Sequence, residues 1–194
     1  MKIGIDIDNV ISNFDDTLLN EYLLHDKELR NSGIINKNAD YIRKGMFDWD
    51  EDEETNFYKD NIERIAQKLG VIEGAKEYID KLHDDGHIIY IITGRDNGEY
   101  TEPYNMTKSW LDDNSIYYDN LILTDAYDKH AKAKECLDHN IDIMIDDSVR
   151  ICSDCVENGI TTILMDTPYN KYSNIQRCKS WKGFYTYVSN YKKR

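Results

Sequence analysis

Apolar and polar positions alternate along this 194-residue chain in short runs that differ in period. The first run, Lys2 to Val10 (KIGIDIDNV), puts Ile3, Ile5 and Ile7 on every second position and predicts a buried β-strand. Asn13 to Leu29 then carries Phe14, Leu18, Leu19, Tyr22 and Leu23 at helical spacing, with Ser12 or Asn13 as N-cap. From Arg30 to Leu69 the pattern changes to a polar, charge-rich stretch without a strand signal, ending in a helical run from Asn61; it reads as a small helical insertion. A helix from Gly74 to Asp85, closed by Gly86, leads into HIIYIITGR, whose five apolar residues Ile88 to Ile92 predict a second buried strand. A loop from Asn97 to Tyr104, a helix through Met106, Trp110 and Leu111, and YYDNLILT as a third strand follow. A helix from about Asp128 to His139, the strand IDIMIDD, a helix from Ser148 to Asn158, the strand ITTILM and a helix near Trp181 to Tyr191 complete the order. Strands separated by helices in this way predict an α/β domain with a parallel sheet and right-handed crossovers.

Composition narrows the class. With 40% apolar residues and two prolines, the chain has enough material for a proper core. A formal net charge of −13 excludes a nucleic-acid polymer as partner, because the phosphate backbone calls for a basic face. A small anion stays compatible if a metal supplies local positive charge. There is no apolar run near the roughly 18 residues a membrane span needs, and no signal-peptide pattern, so a cytoplasmic protein is expected. Of the four cysteines, Cys152 and Cys155 form a C-x-x-C, but no second pair or histidine partner accompanies it; thiols in a reducing compartment are expected.

The candidate chemistry lies at strand ends. Asp6 and Asp8 close the first strand, and with side chains alternating they fall on one side while Ile7 turns to the core. Two carboxylates this close call for a cation or a shared proton. Asp146 and Asp147 close the strand IDIMIDD in the same manner, and burying several carboxylates together demands a counter-ion. Thr93 and Gly94 end the second strand, where a glycine lets backbone N–H groups approach an anion. Lys129, Lys132 and Lys134 sit on the helix between them. The acidic run Asp48 to Glu54 reads as a solvated helix start. Phe47 and Trp49, aromatic in a polar insertion, are either the insertion's own core or a platform for a planar substrate group.

Asp6, Asp8, Thr93, Lys132, Asp146 and Asp147, in this order, resemble the four motifs of the haloacid-dehalogenase-like phosphohydrolases. Within that superfamily DIDNV, IITGR, the WL…YDNLIL stretch, K-x-x-x-C from Lys132 and IDIMIDDS are similar to the 5′(3′)-deoxyribonucleotidases and related bacterial nucleotidases. The likeness covers nearly the whole chain; about 30–61 has no clear counterpart. It implies a three-layer Rossmann-like sheet in a single domain over 1–194, with a helical cap inserted at about 15–72. It further implies a phosphomonoesterase for nucleoside monophosphates, with Asp6 as nucleophile and Asp8 as acid and base. Mg²⁺ would be held by Asp6, the backbone oxygen of Asp8 and Asp147, with Asp146 behind them. Thr93, Gly94 and Lys132 would hold the phosphate; the fourteen residues from Lys132 to Asp146 and the K-x-x-x-C match select Lys132 over Lys129 and Lys134. Another small phosphate ester as substrate, or a silent metal- and phosphate-binding protein, are the alternatives. The oligomeric state is not legible.

Overall fold

The computed structural model describes residues 1–191 except Asp40, Lys44 and Asn97. Asn97, the expected start of the loop before the fourth helix, therefore lies outside the described residues. The elements are β1 (Lys2–Ile5), α1 (Phe14–Leu29), α2 (Glu51–Ala66), α3 (Ala75–Asp84), β2 (Ile88–Thr93), α4 (Pro103–Asp113), β3 (Asn120–Leu123), α5 (Ala131–Asp138), β4 (Ile143–Asp146), α6 (Val149–Glu157), β5 (Thr161–Met165), β6 (Arg177–Cys178) and α7 (Trp181–Asn190). Contacts divide the chain into two compact units, Met1–Ser12 with Val71–Arg194, and Asn13–Gly70.

In the larger unit the strands form one parallel sheet in the order β3-β2-β1-β4-β5-β6. The order runs outward from β1 to β2 and β3, then reverses to the other side of β1, so a topological switch point falls between β1 and β4. Because all strands are parallel, Asp6, Thr93 and Asp146 reach the same edge of the sheet. The strands are apolar because both faces are covered. Tyr90, Ile92 and Met144 pack with Ala133 and Cys136 of α5 and Ile151 and Cys155 of α6. Gly4 makes room for this: a Cβ there would stand 2.7 Å from the Met144 sulfur. Trp181 is fully buried, its indole Nε1 donating to the Val10 carbonyl at 2.8 Å. This is a three-layer Rossmann-like α/β fold, as the motif order implies.

Several boundaries move for local reasons. β1 stops at Ile5, before the alternating run ends, because the N–H groups of Val10, Ile11 and Ser12 all turn back onto the Ile7 carbonyl. The expected helix from Asp128 starts at Ala131, since the Asp128 carboxylate accepts from the His130 N–H at 2.9 Å and holds a turn there. Two-residue β6 is too short to register as a pattern.

The Asn13–Gly70 unit pairs α1 with α2. Asn13 is the N-cap of α1, yet its side chain makes no cap hydrogen bond; its Oδ1 accepts from the Gly70 N–H at 2.7 Å and ties the two ends of the unit together. α2 opens on a capping box, Asp50 accepting from the Glu53 N–H at 2.9 Å while Glu53 accepts from the Asp50 N–H at 3.0 Å. The acidic run is thus a helix start. Arg64 grips Glu21 with both Nη atoms, at 3.0 and 2.6 Å, across the helix pair.

Candidate active site

Asp6 directly follows β1, its N–H donating to the Ile145 carbonyl of the neighbouring strand at 3.0 Å. That bond carries the parallel register one residue past the strand and sets Asp6 beside Asp146, the last residue of β4. Carboxylate oxygens of Asp6, Asp146 and Asp147 all lie within 4.8 Å of one another, and all three residues are buried. Lys132, 6% exposed, reaches them from α5 with Nζ 2.6 Å from Asp146 Oδ2 and 2.8 Å from Asp6 Oδ1. Among the described residues Asp6 Oδ1 has this ion pair but accepts no aligned hydrogen bond. Lys134 and Lys129 are exposed; Lys134 pairs with Asp138 on its own helix at 2.9 Å.

The electrostatics follow from the burial. Asp6 is pushed up to about 6 by burial and by the charges of Asp146 and Asp8, with Lys132 pulling the other way. Burial, then the Asp146 and Asp6 charges, hold Asp147 well above the usual carboxylate range, opposed by hydrogen bonds from Tyr169 and Asn9. Burial alone would lower Lys132, but Asp146 and Asp6 outweigh it and hold the ammonium firmly protonated. Lys132 answers one of the three buried carboxylates. With all three ionised, two negative charges are left over, the charge of one divalent cation. The oxygens, their burial and this deficit fit such an ion.

The two acids of the β4 tip differ. Asp146 is already engaged on both oxygens, Oδ2 by Lys132 at 2.6 Å and Oδ1 by the Ser148 N–H at 2.8 Å. Asp147 Oδ2 accepts from the Tyr169 hydroxyl and, at 3.1 Å, from Asn9 Nδ2, while the Asp147 carbonyl accepts from Asn170 Nδ2 at 2.9 Å. Tyr169 and Asn170 come from the loop after β5, and Asn9, at φ 59°, from the turn after β1.

Asp8 does not lie in a strand with Asp6; it sits on the turn that follows, its side chain a quarter exposed (25%). Its Oδ1 accepts from Arg95 Nη2 at 2.5 Å and from Ser12 Oγ at 3.2 Å, and its Oδ2 from Arg95 Nε at 3.2 Å. Thr93 ends β2, with Oγ1 buried and without a hydrogen-bond partner among the described residues. Gly94 has a packing reason: a Cβ there would meet the Ala126 Cα and Cβ at 3.1 Å.

Phe47 and Trp49 belong to the Asn13–Gly70 unit. Phe47 is 2% exposed. Tyr22 stacks on Trp49 with centroids 4.7 Å apart and meets Phe47 at 5.6 Å and Phe57 edge-on at 4.9 Å. Trp49 Nε1 donates to buried Asp26 Oδ1 at 3.0 Å. These rings pack as the core of their unit, and Phe47 offers no face on which a base can stack.

Sequence reading assigned none of Arg95, Ser12, Asn9, Tyr169 and Asn170 to the site, offering Ser12 only as a helix N-cap. For Arg95 the signal was present, a basic residue at a buried strand's tip in an α/β sheet whose other tips are acidic. The rest meet the acids only through turns and a loop.

Among the described residues no helix is long and apolar enough to cross a membrane. Residues 1–193 match the family described as "5′ nucleotidase, deoxy (pyrimidine), cytosolic type C protein (NT5C)". The "Putative nucleotidase YqfW" of Bacillus subtilis is 29% identical over 199 residues, spanning 99% of this chain and 95% of that one. A "Putative 5′(3′)-deoxyribonucleotidase" of Chlorobaculum tepidum is 24% identical over 96% of this chain and 89% of its own. The solved structure of a haloacid-dehalogenase-like hydrolase from Streptococcus pneumoniae superposes with a TM-score of 0.67, over 96% of this chain and 97% of that one at 16% identity, a likeness of fold. The chain belongs to the 5′ nucleotidase, deoxy (pyrimidine), cytosolic type C family, a nucleotidase that hydrolyses phosphoric monoesters, and it has the fold of the haloacid-dehalogenase-like hydrolases.

Proposed function

We propose that the protein is a Mg²⁺-dependent phosphomonoesterase that acts on nucleoside monophosphates through an aspartyl-phosphate on Asp6. The observation that carries this reading is the charge of the buried cluster: Asp6, Asp146 and Asp147 against one ammonium, Lys132. Asp6, Asp147 and the backbone oxygen of Asp8 would hold the ion, with Asp146 behind them because Lys132 and the Ser148 N–H already take its oxygens. When bound, the ion would offset the charge of the phosphate facing the carboxylates.

The chain's own residues then divide the work. An oxygen of Asp6 attacks phosphorus as the ester oxygen departs, and Asp8 gives that oxygen its proton. In the second step Asp8, now a carboxylate, takes a proton from water as the water oxygen attacks phosphorus; phosphate leaves and the Asp6 carboxylate is restored. The Thr93 hydroxyl, buried with its hydrogen-bonding capacity unused among the described residues, is a donor ready for a phosphate oxygen. Lys132 and the Gly94 N–H supply the remaining charge and hydrogen bonding for an anion whose negative charge spreads over its oxygens.

The nucleotide substrate follows the family and the relatives' names; 5′ or 3′ position and base are further choices. We take the Asn13–Gly70 unit as the cap insertion of a single hydrolase domain, from its place in the chain between the first strand and the second βα unit. Release of phosphate is measured over a panel of nucleoside monophosphates, sugar phosphates and p-nitrophenyl phosphate, with Mg²⁺ and with EDTA. Mg²⁺-dependent turnover with a preference for nucleotides is expected. Preference for a sugar phosphate would overturn the substrate assignment, and no turnover on any ester would favour a silent binder.

A further inference from the structure

Arg95 has a side chain wholly removed from solvent, 0% exposed, directed at a carboxylate that is 25% exposed. It presents two nitrogens to Asp8, Nη2 at 2.5 Å from Oδ1 and Nε at 3.2 Å from Oδ2. We propose that Arg95 is a positioning residue, a two-point fork that fixes the plane of the Asp8 carboxylate in the orientation from which it exchanges a proton with the leaving oxygen and with water. The proposal rests on the reading of Asp8 as acid and base given above.

Stability does not account for this arrangement. Burying a guanidinium is expensive, and among the described residues Arg95 Nη1 is buried without any hydrogen-bond partner. What the pair provides is geometry. A planar fork on a carboxylate restrains both its position and its rotation, which a single-point ammonium does not. Asp8 sits on a turn and is partly open to water, so without the fork only the Ser12 hydroxyl restrains its carboxylate. Its two oxygens are also made unequal. Oδ1 takes the shorter Arg95 contact and the Ser12 hydroxyl at 3.2 Å, while Oδ2 takes only the longer contact.

Arg95 reaches Asp8 from a rigid place. Its N–H donates to the Thr93 carbonyl at 3.1 Å, so the guanidinium and the Thr93 hydroxyl leave the same tight turn at the end of β2. Ala126 packs against Gly94 in the middle of that turn. One backbone segment thus sets both a phosphate-facing hydroxyl and the orientation of the acid. Arg95 exchanges no proton in either step, as a guanidinium stays charged throughout; the proton moves from Asp8 to the leaving oxygen, then from water to Asp8.

The test compares two leaving groups by rapid-quench trapping of the phosphoenzyme in wild type, Arg95→Gln, Arg95→Lys, Asp8→Asn and the double variant Asp8→Asn/Arg95→Gln. p-Nitrophenolate needs little protonation on departure, whereas a nucleoside alkoxide needs it fully. Arg95→Gln should slow phosphoenzyme formation from a nucleoside 5′-monophosphate about 10²-fold, the scale of a group misplaced by an ångström, and from p-nitrophenyl phosphate by less than about 3-fold. Arg95→Lys should recover part of the nucleotide loss and none of the leaving-group contrast should reverse. Adding Arg95→Gln to Asp8→Asn should change the rate by no more than about 2-fold, since the fork then has no acid to orient. Equal losses on both esters, as from a direct phosphate contact, or additive losses in the double variant would overturn the proposal while leaving the hydrolase reading standing. If Arg95→Gln does not fold, the leaving-group contrast is read in Arg95→Lys. A wild type that forms no phosphoenzyme from either ester would overturn the reading of Asp6 and Asp8, and the proposal with it.

Discussion

Replacing Lys132 by methionine keeps most of the side-chain volume and removes one charge, so its outcome depends chiefly on electrostatics. The ammonium lies 2.6 Å from Asp146 and 2.8 Å from Asp6, and the residue is 6% exposed. Breaking a buried ion pair by removing one partner costs about 3–5 kcal/mol. Here two carboxylates lose the same partner, which puts the expected loss at the upper end of that range in metal-free protein at neutral pH. The loss should also depend on pH. Burial already pushes Asp6 up to about 6, and removing Lys132 takes away the charge that opposes that rise. For a carboxyl whose folded value lies above its unfolded one, the folded state binds the proton more tightly. The penalty is absent below the unfolded value of about 4, grows as pH rises, and is complete above the folded value. Urea unfolding of wild type and Lys132→Met in EDTA, at pH 8 and at pH 4.5, measures this. The expected difference is several kcal/mol at pH 8 and much less at pH 4.5. A loss below about 1 kcal/mol at pH 8, or an equal loss at both pH values, would refute the claim that Lys132 neutralises buried carboxylates.

Three further outcomes follow from the same geometry. Mg²⁺ titrated calorimetrically should bind Asp146→Asn about 10–100-fold more weakly than wild type, the scale of a supporting residue, and Asp147→Asn more weakly still; the reverse order would exchange their roles. Phe47→Ala should destabilise by about 3–5 kcal/mol, seen as a lower urea midpoint, and alter KM for a nucleotide and for p-nitrophenyl phosphate equally; a rise in KM confined to the nucleotide would restore the stacking reading. Cys136, Cys152, Cys155 and Cys178 are all buried and unpaired, and burial lifts Cys152 and, to about 11, Cys178, so a thiol reagent should label none at pH 8 in the native protein and all four in urea. Rapid native labelling of any of them would contradict the packing.

What was legible in the sequence was what repeats along one strand. Ile3 and Ile5, then Ile143 and Ile145, announce two buried strands, and the acids after them are at the sheet's edge because parallel strands share one polarity. The resemblance selected Lys132 over its neighbours, by the K-x-x-x-C match and its spacing to Asp146; in the structure Lys132 is buried and Lys134 exposed. The partners of those acids could not be read so. Arg95 meets Asp8 across 87 positions of sequence, and Asn9 and Tyr169 meet Asp147 across 138 and 22, through a turn and a loop whose course no periodicity encodes. Phe47 and Trp49 posed the opposite difficulty. An aromatic residue looks the same in a core and on a binding platform until Tyr22, Phe57 and Asp26 are found around it.

In the mechanism proposed above, phosphate passes through a covalent bond to Asp6, with Asp8 moving the protons. Rapid-quench trapping of phosphate on the protein from a good leaving-group ester separates the two aspartates. Asp8→Asn keeps the nucleophile and loses the base for the second step, worth typically about 10²–10⁴-fold, so the phosphoenzyme should accumulate on Asp6. Asp6→Asn should form none with any ester. A phosphoenzyme in Asp6→Asn, or unimpaired turnover in Asp8→Asn, would contradict this mechanism.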